Sequence, residues 1–248
     1  MDDAANSAAV HYRRFKSHLE EIPALRFHWP KPGQDRIRKI VHRGAMRPTL
    51  KYRSITMQRA FHVESPLEQV AMWHLDACPQ VSFIGEQPMR ISYEKDRMGS
   101  HIPDFIARVG THWEVIEIKR LSTLRSEDTE RAEWLTETLS PVARYRMLSE
   151  AEFENEATSN NCRQLLMRGR NPPDADLAER IIAGIQRDRV ATLGQFDWDV
   201  LQSEAAEHVA WLILRGRLEA DLSCVIGSAT PVTVVADADL LEARLWPA

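Results

Sequence analysis

Apolar and polar positions along the chain follow two different periods, and each change of period marks a predicted element. From Ser65 to Leu75 apolar residues recur at helical spacing, with Ser65 placed to cap the helix and Pro66 in its first position. Alternation then predicts short strands at 81–84, 89–93, 105–109 and 113–119, with a polar loop at 94–100. The Gly110-Thr111 turn joins the last two strands as a hairpin. A helix followed by these strands predicts a mixed α/β core.

The pattern beyond Arg120 is mainly helical. An acidic stretch at 126–130 indicates a helix start, and apolar positions from 135 to 148 keep a helical period that Pro141 interrupts. Past Asn171-Pro-Pro173 the pattern predicts helices at 177–185 and 205–214, a turn into a further helix at 192–196, and a β-rich close at 230–235. Three helices and a terminal hairpin indicate a winged-helix module, a variant of the helix-turn-helix.

The 248 residues are enough for two modest domains. Residues 1–60 are basic and interrupted by prolines and glycines, which predicts an N-terminal arm that lies on DNA rather than a packed unit. Residues 61–170 are expected to form the α/β core with trailing helices. Residues 171–248 are expected to form the winged-helix-like domain.

The composition is that of an ordinary globular protein, with 44% hydrophobic and 27% charged residues. The three cysteines are odd in number and far apart, so they indicate neither a disulfide framework nor a zinc site and fit a reducing compartment. No apolar run is long enough for a signal peptide or a membrane helix. We therefore expect a cytoplasmic protein without a membrane partner.

The net charge of -4 hides an uneven distribution. Between His11 and Ala60 there are thirteen Lys and Arg residues against three acidic ones, a local balance of +10. Such a stripe suits a phosphate backbone, although a solvated basic surface gives the same pattern. The expected DNA contacts are Arg36, Arg38, Lys39, Arg43, Arg47, Lys51, Arg53, Arg59 and His101. His101 could equally pack beside the neighbouring proline.

The hairpin carries a set of charged residues suited to phosphodiester hydrolysis. Asp104 opens the first strand, and the period of two puts Glu117 and Lys119 on one face of the second, with Ile116 and Ile118 towards the core. The short turn allows the two carboxylates to reach one ion. Carboxylate oxygens favour Mg²⁺ or Mn²⁺, and one or two such ions activate water and stabilise a leaving oxygen.

Pro103-Asp104, then twelve intervening residues and Glu117-Ile118-Lys119, resembles the PD-(D/E)XK motif of restriction-enzyme-like nucleases. Four blocks, at 61–68, 81–88, 101–105 and 115–119, make residues 35–125 similar to the N-terminal domain of TnsA-like transposon endonucleases. The resemblance implies a restriction-endonuclease-like mixed sheet flanked by helices, followed by a mainly helical winged-helix-like C-terminal domain. The family site can carry Gln where Glu117 stands, and Glu117 is the more usual nuclease form.

The resemblance also implies the roles of individual residues. Asp104 and Glu117 would bind the metal with the Ile118 backbone carbonyl as a further ligand, and Lys119 would orient or deprotonate water or stabilise the phosphate. Glu68 would be the early acidic residue, with Glu64 as its competitor one helical turn earlier. Gln87, before a proline, is more typical of a structural turn.

The implied function is nicking of the 5′ ends of a transposon. Its partners would be double-stranded DNA at the transposon ends, an integrase-type transposase subunit and an AAA+ ATPase regulator. Two alternatives stay open: a stand-alone defence or repair endonuclease that cuts by itself, and a DNA-binding or assembly protein whose nuclease site is inactive. The sequence contains no glycine-rich phosphate-binding loop, so it does not indicate that this chain uses ATP.

Overall fold

The computed structural model describes residues 2–37, 50–94, 98–188 and 191–235. Chain contacts divide it into two compact units, the first from residues 1–69 and 81–151, the second from residues 70–80 and 152–248. The α-helices are α1 (Asp2–Glu20), α2 (Pro66–Ala77), α3 (Ser126–Leu139), α4 (Glu156–Arg168), α5 (Ala175–Asp188) and α6 (Glu204–Leu214). Short 3-10 helices lie at Leu121–Thr123, Glu150–Phe153 and Leu193–Phe196.

The strands fall into a larger sheet and several small ones. They are β1 (Leu25–His28), β2 (Leu50–Arg53), β3 (Ala60–Val63), β4 (Val81–Glu86), β5 (Arg90–Glu94), β6 (Met98–His101), β7 (Phe105–Val109), β8 (His112–Ile118), β9 (Arg144–Leu148), β10 (Ala191–Thr192), β11 (Leu218–Glu219) and β12 (Pro231–Val234). The larger sheet has the order β4-β7-β8-β9. The others are β1-β5-β6, β2-β3 and β10-β12-β11. The predicted mixed α/β class is therefore correct.

Local signals place the elements around the predicted motif where the sequence indicated. The Ser65 Oγ accepts from the Glu68 backbone N–H at 3.1 Å, so Ser65 caps α2 as predicted. The predicted hairpin is β7 and β8, paired antiparallel from Phe105↔Ile116 to Val109↔His112. Gly110 turns the chain at a φ of 56°, where an L side chain is strained.

The fourth strand of the larger sheet corrects one prediction. Residues 144–148 do not continue a helix: α3 ends at Leu139, and the backbone N–H groups of Val142 and Ala143 both donate to the Leu139 carbonyl. The chain then forms β9, which runs parallel to β8. Pro141 thus separates a helix from a strand, and α3 is the crossover that a parallel pair requires. Similarly, part of the predicted loop at 94–100 is β6, paired with β5.

The prediction of a loose N-terminal arm is wrong for the segment up to residue 37. α1 buries Phe15 and Leu19, which are 2% and 0% exposed. Phe15 stacks on Trp113 of β8 with 4.5 Å between ring centroids, and β1 pairs with β5. The basic residues that suggested an arm are interleaved with an apolar helical stripe. Residues 38–49 lie outside the described residues.

The second unit combines α4, α5 and α6 with the three-stranded β10-β12-β11 sheet. α4 and α6 approach closely at Gly169, where a Cβ would lie 2.6 Å from Leu214 Cδ1. The predicted turn into a helix at 192–196 is instead β10 followed by a 3-10 turn. The boundary predicted near 171–173 differs from the division of contacts, which assigns α4 to this unit. Among the described helices, none combines the length and apolar character needed to cross a membrane.

Candidate functional site

A cavity of about 780 Å³ opens in the first unit at the end of β8, and we call it the carboxylate cleft. All four predicted catalytic residues lie in its wall. The lining residues are Glu64, Ser65, Leu67, Glu68, Ile102, Asp104, Glu117, Ile118, Lys119, Arg120, Thr123, Arg125, Glu127 and Asp128. The structure therefore brings together residues that are up to 64 positions apart in the sequence.

Strand register places Asp104 beside Glu117. Phe105 pairs with Ile116, so the residue before β7 lies next to the end of β8. The backbone N–H of Ile118 donates to Asp104 Oδ2 at 2.7 Å, and the backbone N–H of Gln87 donates to the Asp104 carbonyl at 2.8 Å. The position of this carboxylate is thus set by backbone hydrogen bonds from two other segments.

Glu117 is buried, with 6% of the residue exposed. The alternating pattern had indicated only that the charge of Glu117 need not be buried without a partner. Glu117 is buried because β8 is covered on both faces: Val115 and Ile116 are each 0% exposed. Burial raises the pKa of Asp104, and the charges of Glu117 and Glu68 raise it further. Burial also raises the pKa of Glu117, against the opposing charges of Lys119 and Arg131. Burial and the charge of the neighbouring carboxyl thus both favour a protonated form of Asp104.

One oxygen of this pair is left unsatisfied. Glu117 Oε2 is buried and has no hydrogen-bond partner within the described part of the chain. His101 Nε2 lies 3.3 Å from it, within ion-pair distance but without hydrogen-bond geometry. Burial lowers the pKa of His101 to about 3, with Arg131 and Lys119 acting in the same direction, so the ring is neutral near pH 7. An unsatisfied buried carboxylate oxygen is costly unless a ligand completes it.

Behind His101 stands Tyr145 of β9, whose hydroxyl oxygen is 3.2 Å from His101 Nε2. The same imidazole nitrogen therefore faces both the phenol and Glu117 Oε2. The His101 side chain is only 9% exposed, and its contacts are with Tyr145 and Glu117. The predicted phosphate contact and the alternative of packing beside the proline both stay predictions.

Lys119 stands at the rim of the cleft between two carboxylates. Its Nζ is 3.6 Å from Glu117 Oε1 and 3.5 Å from Asp128 Oδ1, and its side chain is 30% exposed. Arg131 holds Asp128 through a 2.7 Å contact from Nη2 to Oδ1. Burial opposes ionisation of Asp128, but the Arg131 hydrogen bond and the Lys119 charge lower its pKa. The ammonium is therefore held at a defined place beside the carboxylate pair.

The early acidic residues lie in the cleft with local partners. Glu68 accepts from the Ser65 hydroxyl at 2.9 Å and from the Glu64 backbone N–H at 2.8 Å, just before the start of α2. Glu64 Oε1 accepts from Gln87 Nε2 at 3.1 Å. Gln87 is 4% exposed with a φ of 41°, which fits the predicted structural turn. Of the two glutamates, Glu68 is the one whose charge raises the Asp104 pKa.

The side chains fit a magnesium or manganese ion with few protein ligands. Within the described ranges, no three His, Cys, Asp or Glu side chains converge to hold a metal by themselves. Mg²⁺, however, usually keeps several waters and binds through one or two carboxylates. Asp104, Glu117 and the unsatisfied Glu117 Oε2 supply such a pair. The predicted Ile118 backbone carbonyl belongs to the same stretch of the cleft wall.

The predicted DNA-contacting residues differ in where they lie and in what they contact. Arg36 and Arg59 each place an Nη1 3.0 Å from an oxygen of Glu86, which is buried with its side chain 2% exposed. Lys51 and Arg53 are exposed on β2. Arg38, Lys39, Arg43 and Arg47 lie outside the described residues.

Sequence reasoning missed Asp128, Arg131 and Tyr145. The acidic start of α3 was recognised only as a helix signal, and Tyr145 lies on the strand that had been expected to be helical. An acidic first turn directly after the Glu-x-Lys strand was the available signal for Asp128.

No protein-family model matches the chain, and no curated protein matches it. Among solved structures, the crystal structure of protein VC1899 from Vibrio cholerae is similar to part of it, with 19% identity. That match covers 34% of this chain and 22% of the other chain, with a TM-score of 0.26. A match of this size assigns neither a fold nor a function.

Proposed function

We propose that this chain is a metal-dependent DNA endonuclease that hydrolyses phosphodiester bonds in the carboxylate cleft. The observation that carries the proposal is the buried Glu117 beside the half-buried Asp104, with the Lys119 ammonium 3.6 Å from Glu117. Burial favours the protonated form of these two carboxyls. A divalent cation would neutralise the two carboxylates, and a phosphate would neutralise the neighbouring lysine.

A restriction-endonuclease-like arrangement of the first unit is part of the proposal. It is supported by the order of elements: antiparallel β4, β7 and β8, then α3, then parallel β9. The carboxylates stand at the start of β7 and the end of β8, where the motif of such nucleases would put them. In the second unit, the order α5, β10, a 3-10 turn, α6, β11 and β12 supports a winged-helix-like domain.

The chemistry follows from what each side chain can hold. A cation bound by Asp104 and Glu117 would supply electrophilic stabilisation of the scissile phosphate and activation of water. Lys119 donates to the phosphate or to the attacking water, while Asp128 and Glu117 keep its ammonium in place. The oxygen of water bonds to phosphorus and gives up a proton, the bond from phosphorus to the leaving oxygen breaks, and that oxygen takes up a proton from solvent. Glu68 completes the acidic wall.

For the biological setting we propose a TnsA-like subunit that nicks the 5′ ends of a transposon. An integrase-type transposase and an AAA+ regulator would be its partners. The support is the order of the four sequence blocks, three of which contribute residues to the wall of the carboxylate cleft. A stand-alone nuclease differs in one respect, because it would cut without partners.

The test uses the purified full chain with a labelled duplex that carries the ends of the element, in Mg²⁺, Mn²⁺ or EDTA. Wild type is compared with Asp104→Asn and with Asp188→Asn, an exposed aspartate of α5 that serves as the matched control. We expect metal-dependent nicking by wild type and the control, and loss of nicking in Asp104→Asn. The same mixtures are repeated with the products of the neighbouring genes, among which the proposal expects an integrase-type transposase and an AAA+ protein.

Nicking that requires the partners supports the transposon subunit, and equal nicking without them supports the stand-alone enzyme. If all three proteins behave alike in every mixture, the cleft is not the site of hydrolysis. Binding of the duplex without any metal-dependent cleavage would instead favour an inactive assembly protein.

A further inference from the structure

A second cavity, of about 380 Å³, lies in the first unit at the opposite end of β8 from the carboxylate cleft. Its walls are one face of α1, the turn between β7 and β8, and the loop at 140–143 that leads into β9. His112 begins β8 and Lys119 follows its end, a separation of seven residues. At the rise of an extended strand this is roughly 23 Å, so the two cavities are distinct sites.

The lining of this second cavity is strongly basic, and we call it the basic cavity. Its six cationic or protonatable side chains are His11, Arg14, His18, Arg108, His112 and Arg144. No carboxylate is among the lining residues in the described part of the chain. On α1, the spacing of three and four between His11, Arg14 and His18 puts them on one helical face, which turns towards the cavity.

Five of these six side chains form no ion pair with an acid in the described part of the chain, and His112 is the exception. Within the described ranges, Arg14 and Arg108 form no ion pair, and Arg144 Nη1 lies 3.4 Å from His112 Nε2 rather than on a carboxylate. The neighbouring acid, Glu114, is 2% exposed and accepts from Arg146 at 3.3 Å. His112 also contacts Glu114 at 3.3 Å. Concave surfaces that gather like charges focus the field and concentrate counter-ions.

The cavity is built on rigid elements. Trp113 forms part of its floor, is 8% exposed, and stacks on Phe15 of α1 with 4.5 Å between ring centroids. Arg108 pairs with Trp113 in the hairpin register, so its side chain starts from a fixed strand. The C-terminus of α3 carries partial negative charge on its carbonyl groups. The Leu139 carbonyl accepts hydrogen bonds from two backbone N–H groups, which reduces this charge next to the cavity. The arginines are thus presented before any ligand arrives.

We propose that the basic cavity binds a phosphate group. Arginine forks match phosphate oxygens in geometry and charge, and several of them around one concavity suit a doubly charged anion. Two sources supply this chemistry: a backbone phosphate of bound DNA, remote from the one being cut, or a free polyphosphate. The DNA source rests on the proposed function, whereas binding of a free phosphate does not.

The experiment compares the full-length wild type with the double variant Arg14→Gln/Arg108→Gln. The matched control is Arg13→Gln/Arg187→Gln, which removes two exposed arginines outside the cavity. Pyrophosphate binding is measured by titration calorimetry, and binding of a fluorescent duplex by anisotropy over a series of salt concentrations. Both assays contain EDTA, so cleavage plays no part. Arg14→Lys/Arg108→Lys reports whether positive charge alone is enough, and circular dichroism verifies that each variant is folded.

For a free phosphate we expect pyrophosphate to bind wild type and the control with one site, and the cavity variant at least about ten-fold more weakly. For a DNA phosphate we expect duplex affinity to fall about ten-fold in the cavity variant only. The slope of log affinity against log salt should then fall by about one, because one backbone phosphate is no longer neutralised. If neither ligand distinguishes the cavity variant from the control, the proposal is wrong. A chain that binds pyrophosphate but no DNA would leave this site standing while the proposed function fails.

Discussion

The two ends of β8 present opposite electrostatic problems on one scaffold. At its last residues, Glu117 is buried against Asp104, and burial raises the pKa of both carboxyls. At its first residue, His112 joins a wall of arginines and histidines without a lining carboxylate in the described chain. Neither arrangement is one that folding alone would favour, because each gathers like charges.

The difference lies in how deeply each group of charges is held. The side chain of Glu117 is 8% exposed and that of His112 is 34% exposed. Removing one charge from the carboxylate pair should have a large energetic effect, and such a pair selects a small, hard cation. Removing one charge from the half-exposed cationic wall should have a small effect, because salt screens it, and such a wall selects a larger anion. The cleft should therefore dominate chemistry, and the basic cavity should act on binding.

The largest expected effect comes from Glu117→Gln, which keeps the shape of the side chain and removes its charge. We expect cleavage to fall by more than about 100-fold, since changes to groups that merely support metal ligands already cost about 10–100-fold. Single-turnover cleavage at saturating metal and DNA measures this. Glu133→Gln, on the exposed face of α3, is the control and should cleave like wild type. Equal rates for the two variants would remove Glu117 from the chemistry.

Lys119 tests whether the cleft needs a point charge or a specific ammonium. We expect Lys119→Gln to lower the single-turnover rate by about 100-fold, the usual cost of a lost charge-stabilising donor, with duplex affinity changed only a few-fold. Lys119→Arg should rescue little, because a planar guanidinium does not fit between Glu117 and Asp128 as a compact ammonium does. A rate loss matched by an equal loss of affinity would mean that Lys119 only binds DNA.

Prediction from sequence succeeded where the determinants are local. The Ser65 cap, the Gly110 turn and the strand alternation each depend on a few neighbouring residues, and together they placed Asp104 beside Glu117. The burial of Glu117 could not be predicted in this way. It depends on α1 and α3 covering the second face of β8, and the α1 stripe was hidden among basic residues.

Long-range pairing accounts for the other differences. β9 lies in the sheet only because it pairs with β8 in parallel across α3, and no residue within 144–148 indicates that partner. Tyr145 is brought to His101 by this pairing, and Arg131 to Asp128 by the position of α3. The residues that support the cleft are therefore brought there by tertiary contacts and could not be predicted from the sequence. Its carboxylates could be predicted, because they form a sequence motif.

Tyr145→Phe tests this support with a smaller expected effect. Without the hydroxyl, His101 Nε2 loses its 3.2 Å partner, so the imidazole that lies 3.3 Å from Glu117 Oε2 is positioned less firmly. We expect Mn²⁺ to bind about ten-fold more weakly, as measured by electron paramagnetic resonance titration of the unreacted protein. Tyr93→Phe, at a half-buried position in contact with Trp134, is the control. An unchanged Mn²⁺ affinity would show that Tyr145 only fills space.

The pH dependence of stability separates the cleft from other acidic surfaces. A carboxyl whose pKa is raised by folding stabilises the protein below its unfolded pKa, and this contribution is lost as pH rises towards the folded pKa. In EDTA we therefore expect wild type to lose Tm between pH 5 and 8 relative to Glu117→Gln, by about 2–4 °C for each kcal/mol lost. Mn²⁺ should restore the wild type alone. A difference independent of pH and metal would contradict a raised pKa of Glu117.

The smallest effect should come from the basic cavity, and it should follow salt rather than pH. Relief of repulsion in Arg14→Gln/Arg108→Gln should raise Tm slightly at low ionic strength, because exposed charge pairs contribute only about 0.2–1 kcal/mol. Near 0.5 M salt the gain should vanish, since screening then acts over a few ångströms. The cavity variant should also keep the wild-type cleavage rate at saturating DNA. A lowered rate at saturation would mean that the two ends of β8 are coupled, and that the cavity acts on the chemical step as well as on binding.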